Sequence, residues 1–235
     1  MEVLGLIPAR GGSTGIPGKN LAPLAGKPLL AYTCEQALAA KELSRVVLSS
    51  DDERIVAYGK RLGVDAPFLR PPHLAEDDTP MIDVVRHALD ALQRQEDYRP
   101  EAVVLLQPTS PLRRTQHIDE AVRLLRDTGA DSVVSVVEVP HQFTPSSLLR
   151  REGDTLVPYL NGPQPLRRQD KPVLYARNGP AVLAVRTPVV LDSRTLYGTV
   201  CRPLVMSWEE SVDIDGPEDL EWAERVLAME RLQRR

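Results

Sequence analysis

The sequence predicts an α/β fold: three layers, α/β/α, around a mostly parallel sheet. Short apolar runs alternate with stretches of helical periodicity, the order that builds a parallel sheet with helices on both faces. The run at 101–107 (EAVVLLQ) is apolar from Ala102 to Leu106, as a central parallel strand buried on both faces must be. The first apolar run, with Leu4, Leu6 and Ile7, ends in a glycine-rich loop, and ligands in such sheets sit beyond the C-terminal strand ends. The 235 residues suit one domain, 1–235, with an inserted arm at 140–177.

After the loop, Pro28 opens a helix in which Leu30, Thr33, Cys34, Ala37 and Leu38 share a face. A strand is expected at 45–50 (RVVLSS), then a helix at 53–62 capped by Asp51 and Asp52. A third strand is expected at 64–70 and a proline-bounded loop at 70–80. A helix over 81–95 puts Val84, Val85, Ala88, Leu89 and Leu92 on one side. The strand at 101–107 ends in a rigid polar turn at 107–111 (QPTSP), followed by a helix over 115–126 and a strand at 131–138. Residues 140–177 are rich in proline and polar residues, with strand-like pieces at 155–160 and 173–175. The pattern fits a flap, a small subdomain or a dimerisation arm. Core strands return at 179–185 and 201–206, and Gly216-Pro217 introduces a final helix over 218–232.

Hydrophobic content of 42% and charged content of 26% are ordinary for a globular protein. Aromatics at 4% argue against stacking platforms for single-stranded nucleic acid. A net charge of −4 supplies no basic field for nucleic acid or anionic membrane, so an anionic ligand needs a local pocket. No apolar run reaches the ~18 residues of a membrane helix, and residues 1–4 lead straight into a strand without a signal-peptide pattern. The expectation is a cytoplasmic protein without nucleic-acid or membrane partners. Cys34 and Cys201 have no metal-site or redox spacing.

The candidate site begins at 6–21, LIPARGGSTGIPGKNL. Gly11, Gly12, Gly15 and Gly18 let backbone N–H groups turn toward an anion. Arg10 and Lys19 are natural phosphate partners, and Ser13 and Thr14 add hydroxyls. The stretch is neither a Walker loop, since Asn20 follows Gly18-Lys19, nor a dinucleotide fingerprint. It is either a polyphosphate cradle or a glycine-rich surface turn. Asp213 and Asp215 in SVDID lie on one face of an extended segment and suit a Mg²⁺ ion completed by phosphates and water. In the alternative, one binds metal and Asp215 caps the last helix. Gln107, Thr109 and Ser110 could contact a nucleoside or serve the turn. Arg70, held by two prolines, could reach a base or a phosphate. Arg168-Gln169 and Arg177-Asn178 could hold a carboxylated substrate, because guanidinium pairs bidentately with carboxylate. No hydrolytic triad is visible.

The ordered motifs IPARGGSTGIPGKN, LSSDD, RPPHLA, LLQPTSPLR, SVVSV, RRQD, ARNG and SVDID resemble the acylneuraminate cytidylyltransferases from residue 7 to about 223. The resemblance implies a nucleotide-diphospho-sugar transferase-like fold and a homodimer. It also implies transfer of CMP from CTP to the anomeric hydroxyl of a nine-carbon 2-keto sugar acid, with pyrophosphate released and Mg²⁺ required. By position, the loop from Ala9 through Gly11, Gly12 and Ser13 would bind nucleotide, with Arg10 and Lys19 on the triphosphate as catalytic groups and Asn20 positioning it. Arg70, Thr79 and Gln107 would line the nucleoside and substrate pocket. Arg168, Gln169, Arg177 and Asn178 would face the sugar acid. Asp213 and Asp215 would bind Mg²⁺, with Asp213 also catalytic. The family loop reads Ser-Lys-Gly where this chain has Ser13-Thr14-Gly15, which shifts load onto Lys19 and Arg10. Pro145 falls where some relatives place a lysine in the arm.

Overall fold

The structure, a computed structural model, describes residues 1–162 and 167–233. In chain order it contains β1 (Val3–Pro8), the two-residue strands β2 (Pro23–Leu24) and β3 (Lys27–Pro28), α1 (Leu29–Ala39), β4 (Arg45–Ser49), α2 (Glu53–Arg61), α3 (Met81–Glu96) and β5 (Ala102–Leu105). There follow α4 (Thr115–Thr128), β6 (Ser132–Glu138), β7 (Leu149–Glu152), β8 (Thr155–Pro158), β9 (Tyr175–Arg177), β10 (Leu183–Arg186), α5 (Thr187–Leu191), β11 (Cys201–Met206) and α6 (Pro217–Gln233). Among the described residues, seven strands form the central sheet, in the order β11-β6-β10-β5-β1-β4, with β9 also on β6.

Alternation along the strands makes the three layers. Leu4 and Leu6 of β1, with Val103 and Leu105 of β5, pack with Val85 and Leu89 of α3 and Val190 of α5. Val3 and Ile7, with Ala102 and Val104, pack on the other face with Leu30 and Cys34 of α1 and Ile118 and Val122 of α4. A third cluster joins Leu29 and Tyr32 of α1 to Ile214 and to Ala223 of α6. α1 is therefore buried on two sides, and α6 carries the 212–216 segment back against the start of the chain. Each fully buried Leu or Ile contributes roughly 1.5–3 kcal/mol of transfer free energy.

One expected strand is absent. Residues 64–70 form no strand: backbone pairing with β4 is a single bridge between Val47 and Asp65, because Pro67 cannot donate to a ladder. The central sheet is largely parallel, as expected, and within it β10 runs antiparallel to both β5 and β6, and β9 antiparallel to β6. A buried apolar strand carries no signal of its direction. β9 and β10 lie one after the other along the same side of β6, separated by residues 178–182. The expected arm thus ends inside the main sheet. Its free part is the hairpin β7–β8, which carries exposed Leu149 and Leu156.

Asp52 caps α2 as expected, accepting from Arg54 N at 2.8 Å. Asp51 does not cap; its carboxylate accepts from Gly11 N at 2.9 Å. Asp215 does not cap α6: Asp219 Oδ2 instead accepts from the N–H groups of Asp215 and Gly216, at 2.9 and 2.8 Å. No helix among the described residues is long and apolar enough to cross a membrane.

Candidate active site

A cleft of about 490 Å³ opens beyond the C-terminal ends of β1 and β5, lined among others by Arg10, Ser13, Lys19, Arg70, Gln107 and Asp215. Its floor is the glycine-rich loop. Ala9 N donates to Ser49 O at 2.9 Å, tying the loop to β4. Asn20 is buried and donates to Arg10 O at 2.8 Å, so it braces the loop from beneath. A Cβ on Gly12 would meet nothing within 4 Å, leaving that backbone open to the cleft. At Gly15 a Cβ would stand 2.1 Å from the carbonyl oxygen of Asp215. Only glycine permits that approach, by which the loop and the SVDID segment become neighbours.

Lys19 joins the two. Its ammonium donates to Ile214 O at 2.6 Å and lies 3.3 Å from Asp215 Oδ1, with the side chain 12% exposed. Arg10 is half-buried at the opposite wall. Its guanidinium meets Asp77 Oδ1 at 2.5 Å and Ala75 O at 3.4 Å. Asp77 had no signal in the sequence beyond its place in the acidic run Glu76-Asp77-Asp78. Arg70 is buried and donates to Ser49 Oγ and to Ser49 O at 3.1 and 2.5 Å. Burial pulls its guanidinium down to about 10, and most of its donors are engaged below the cleft surface.

Asp213 is outside the cleft wall, two residues before Asp215, which lines it, and its segment is held where Ile214 N donates to Thr109 O at 2.8 Å. Its carboxylate touches the position a Cβ on Gly179 would occupy, at 3.4 Å, and Ser110 Oγ lies 3.2 Å from that point. Asp213 Oδ1 is buried without a hydrogen-bond partner among the described residues. Burial raises its pKa above the carboxylate norm, Thr109 and Lys19 lower it, and Asp215 adds to the rise. Asp215 is 84% exposed. Among the described residues no three His, Cys, Asp or Glu side chains gather to hold a metal, so a cation here would rest on these two carboxylates and on ligand oxygens.

The structure does not bring every expected residue to this cleft. Thr79 is outside its wall and donates to His73 O at 3.3 Å. Gln169 lines a separate hollow of about 540 Å³ with Glu138, His141 and Lys171. Arg177 leans on Tyr197, 5.1 Å from the ring centroid, and donates to its hydroxyl at 2.7 Å. Arg168 begins a short 3-10 turn, and its side chain lies outside the described residues. Asn178 faces inward, not toward a substrate. It accepts from Ser135 Oγ at 2.6 Å and donates to Ser211 Oγ at 2.8 Å. Both ends of the amide are thus spent, holding β6 to the segment that leads into Asp213. Gln107 is in the cleft wall and donates to Gly179 O at 3.3 Å. Arg113 has no signal in the sequence beyond its place at the end of LLQPTSPLR.

A family model described as Cytidylyltransferase matches residues 4–230. The CMP-N,N'-diacetyllegionaminic acid synthase of Legionella pneumophila is 34% identical over 230 residues, covering 97% of each chain. The N-acylneuraminate cytidylyltransferase of Escherichia coli is 34% identical over 223 residues, covering 94% of this chain and 51% of that protein. The chain thus spans about half of the second relative. Among solved structures, a CMP:2-keto-3-deoxy-manno-octonic acid synthetase complexed with CTP matches with a TM-score of 0.72 at 19% identity, covering 98% of this chain and 100% of that one.

Proposed function

The chain belongs to the cytidylyltransferase family, and on that premise we propose that it transfers CMP from CTP to the anomeric hydroxyl of a nonulosonic, sialic-acid-type sugar acid, releasing pyrophosphate. The observation that carries this reading is the meeting of the glycine loop with the SVDID segment through Lys19. Phosphoryl-type transfer is mostly positioning and charge neutralisation, and this junction offers open backbone, a held ammonium and two carboxylates. The anomeric hydroxyl gives up its proton to solvent as its oxygen bonds to the α-phosphorus, and the bond to the pyrophosphate oxygen breaks. Lys19 and Arg10 face the charge that develops. Arg10 exchanges Asp77 for phosphate oxygens when the triphosphate enters. Gln107 lines the sugar end.

The residues present fit a divalent cation, because Asp213 keeps a buried oxygen with no hydrogen-bond partner among the described residues, close enough to the exposed Asp215 to feel its charge. Mg²⁺ prefers one or two carboxylates completed by phosphates and water. Asp213 and Asp215 would hold it, and it would neutralise phosphate charge. The hollow lined by Gln169 and the arm extend the substrate surface. Because the reaction draws on CTP, we place the protein in the cytoplasm. Mass spectrometry of the product tests the reading: a CMP–sugar conjugate is expected with CTP, and none with UTP, GTP or ATP. A conjugate formed only from another nucleotide would contradict it.

We also propose a homodimer. Leu149 and Leu156 on the β7–β8 hairpin are 58% and 64% exposed, near exposed Tyr159 and Leu160 in the chain. Apolar residues so grouped mark an association surface. Sedimentation is expected to give twice the chain mass, and Leu149→Asp with Leu156→Asp to give the monomer. An unaltered mass in that variant would remove the hairpin from the interface.

A further inference from the structure

Arg113 is 2% exposed. It makes no ion pair with a carboxylate among the described residues. A buried guanidinium with no counter-charge is costly and persists where its hydrogen bonds serve a purpose. Here Nη1 donates to the backbone carbonyl of Gln107 at 3.1 Å and to that of Ala181 at 2.7 Å, and Nη2 donates to Thr33 Oγ1 at 2.5 Å. Three elements are thereby joined: the turn after β5, the segment leading into β10 and the middle of α1. Nε has no hydrogen-bond partner among the described residues. Burial pulls the group down to about 9, so it is still charged at neutral pH.

The acceptors lie where the sheet is interrupted. Residues 178–182 separate β9 from β10, and Gly179 there has φ +115°. Into this gap Gln107 sends its amide, donating to Gly179 O, while Arg113 grips the main chain of both Gln107 and Ala181. The Gln107 side chain is thus fixed at both ends: its backbone by Arg113, and its amide by the segment that Arg113 also holds. We propose that Arg113 is a positioning residue for the transfer reaction, a buried three-point staple that sets Gln107 against the sugar acid. The inference rests on the reading of the cleft as a CTP and sugar-acid site.

A double-mutant cycle on kcat/KM for the sugar acid tests it, with KM for CTP and Tm measured alongside. Lysine keeps the charge of Arg113, but its compact ammonium cannot reproduce the planar fork that spans these separated acceptors. Arg113→Lys is expected to lower kcat/KM for the acid roughly thirtyfold, since a misplacement near 1 Å can cost about a hundredfold. KM for CTP should stay within about twofold, and Arg113→Lys should add nothing in a Gln107→Ala background. Thr33→Val removes one acceptor and is expected to give the same pattern at about threefold, which keeps the test open if Arg113→Lys does not fold. Additive losses, equal rises in both KM values with a falling Tm, or unchanged constants in the folded variants would overturn the inference. A wild type without turnover would overturn the functional reading instead. Wild-type turnover with additive losses would overturn this inference alone.

Discussion

Lys19→Ala is expected to lose about a thousandfold or more in kcat/KM while keeping its fold, since removing one preorganised positive group from a phosphoryl-transfer site costs on that scale. The side chain is mostly buried, yet its partners are a main-chain carbonyl and an exposed carboxylate, both of which water can satisfy. Far-UV circular dichroism should therefore be unchanged. The loop carries Thr14 and no second lysine between Arg10 and Lys19, so no neighbouring loop ammonium replaces Lys19. Arg10 is across the cleft and engaged by Asp77. Retained pyrophosphate release in this variant would remove Lys19 from the role assigned to it.

Asp213→Asn is expected to show opposite effects on activity and stability. Turnover should fall about a hundred- to a thousandfold, because one of two candidate cation ligands is lost. The melting temperature should rise. Asp213 is largely buried, one oxygen has no partner, and Asp215 adds like charge. A neutral amide of the same shape removes that desolvation cost, as expected where a site is kept at the expense of stability. Mn²⁺ binding followed by electron paramagnetic resonance gives a readout independent of turnover and should weaken. A lower melting temperature with unchanged Mn²⁺ binding would mean that Asp213 serves the fold and not a cation.

The sequence made the layers and the cleft legible through local features. The apolar alternation of β1 and β5, the cap at Asp52 and the glycine loop each depend on residues close together in the chain. The two ends of the site, Lys19 and Asp215, were also readable, because each carries its chemistry in a short motif. What escaped depends on contacts distant in sequence. Nothing in GPAVLAV states that β10 runs against its neighbours. Pro67 was the one visible reason to doubt a strand at 64–70. Asn178 offers the same amide whether it faces a ligand or, as it does, Ser135 and Ser211. Nothing in the sequence sets Arg113 apart from a surface arginine after a proline turn, and its burial follows only from the meeting of β5, the segment before β10 and α1. The pairing of Arg10 with Asp77 joins positions 10 and 77 and left no trace in either motif.

The most direct test of the account is pyrophosphate release by the wild-type protein with CTP and Mg²⁺ across a panel of nonulosonic acids, with Kdo included and UTP, GTP and ATP as controls. Release with CTP and a nonulosonic acid, absent with the other nucleotides, is the predicted result. Silence with every acid, or turnover with another nucleotide and a sugar phosphate, would contradict it.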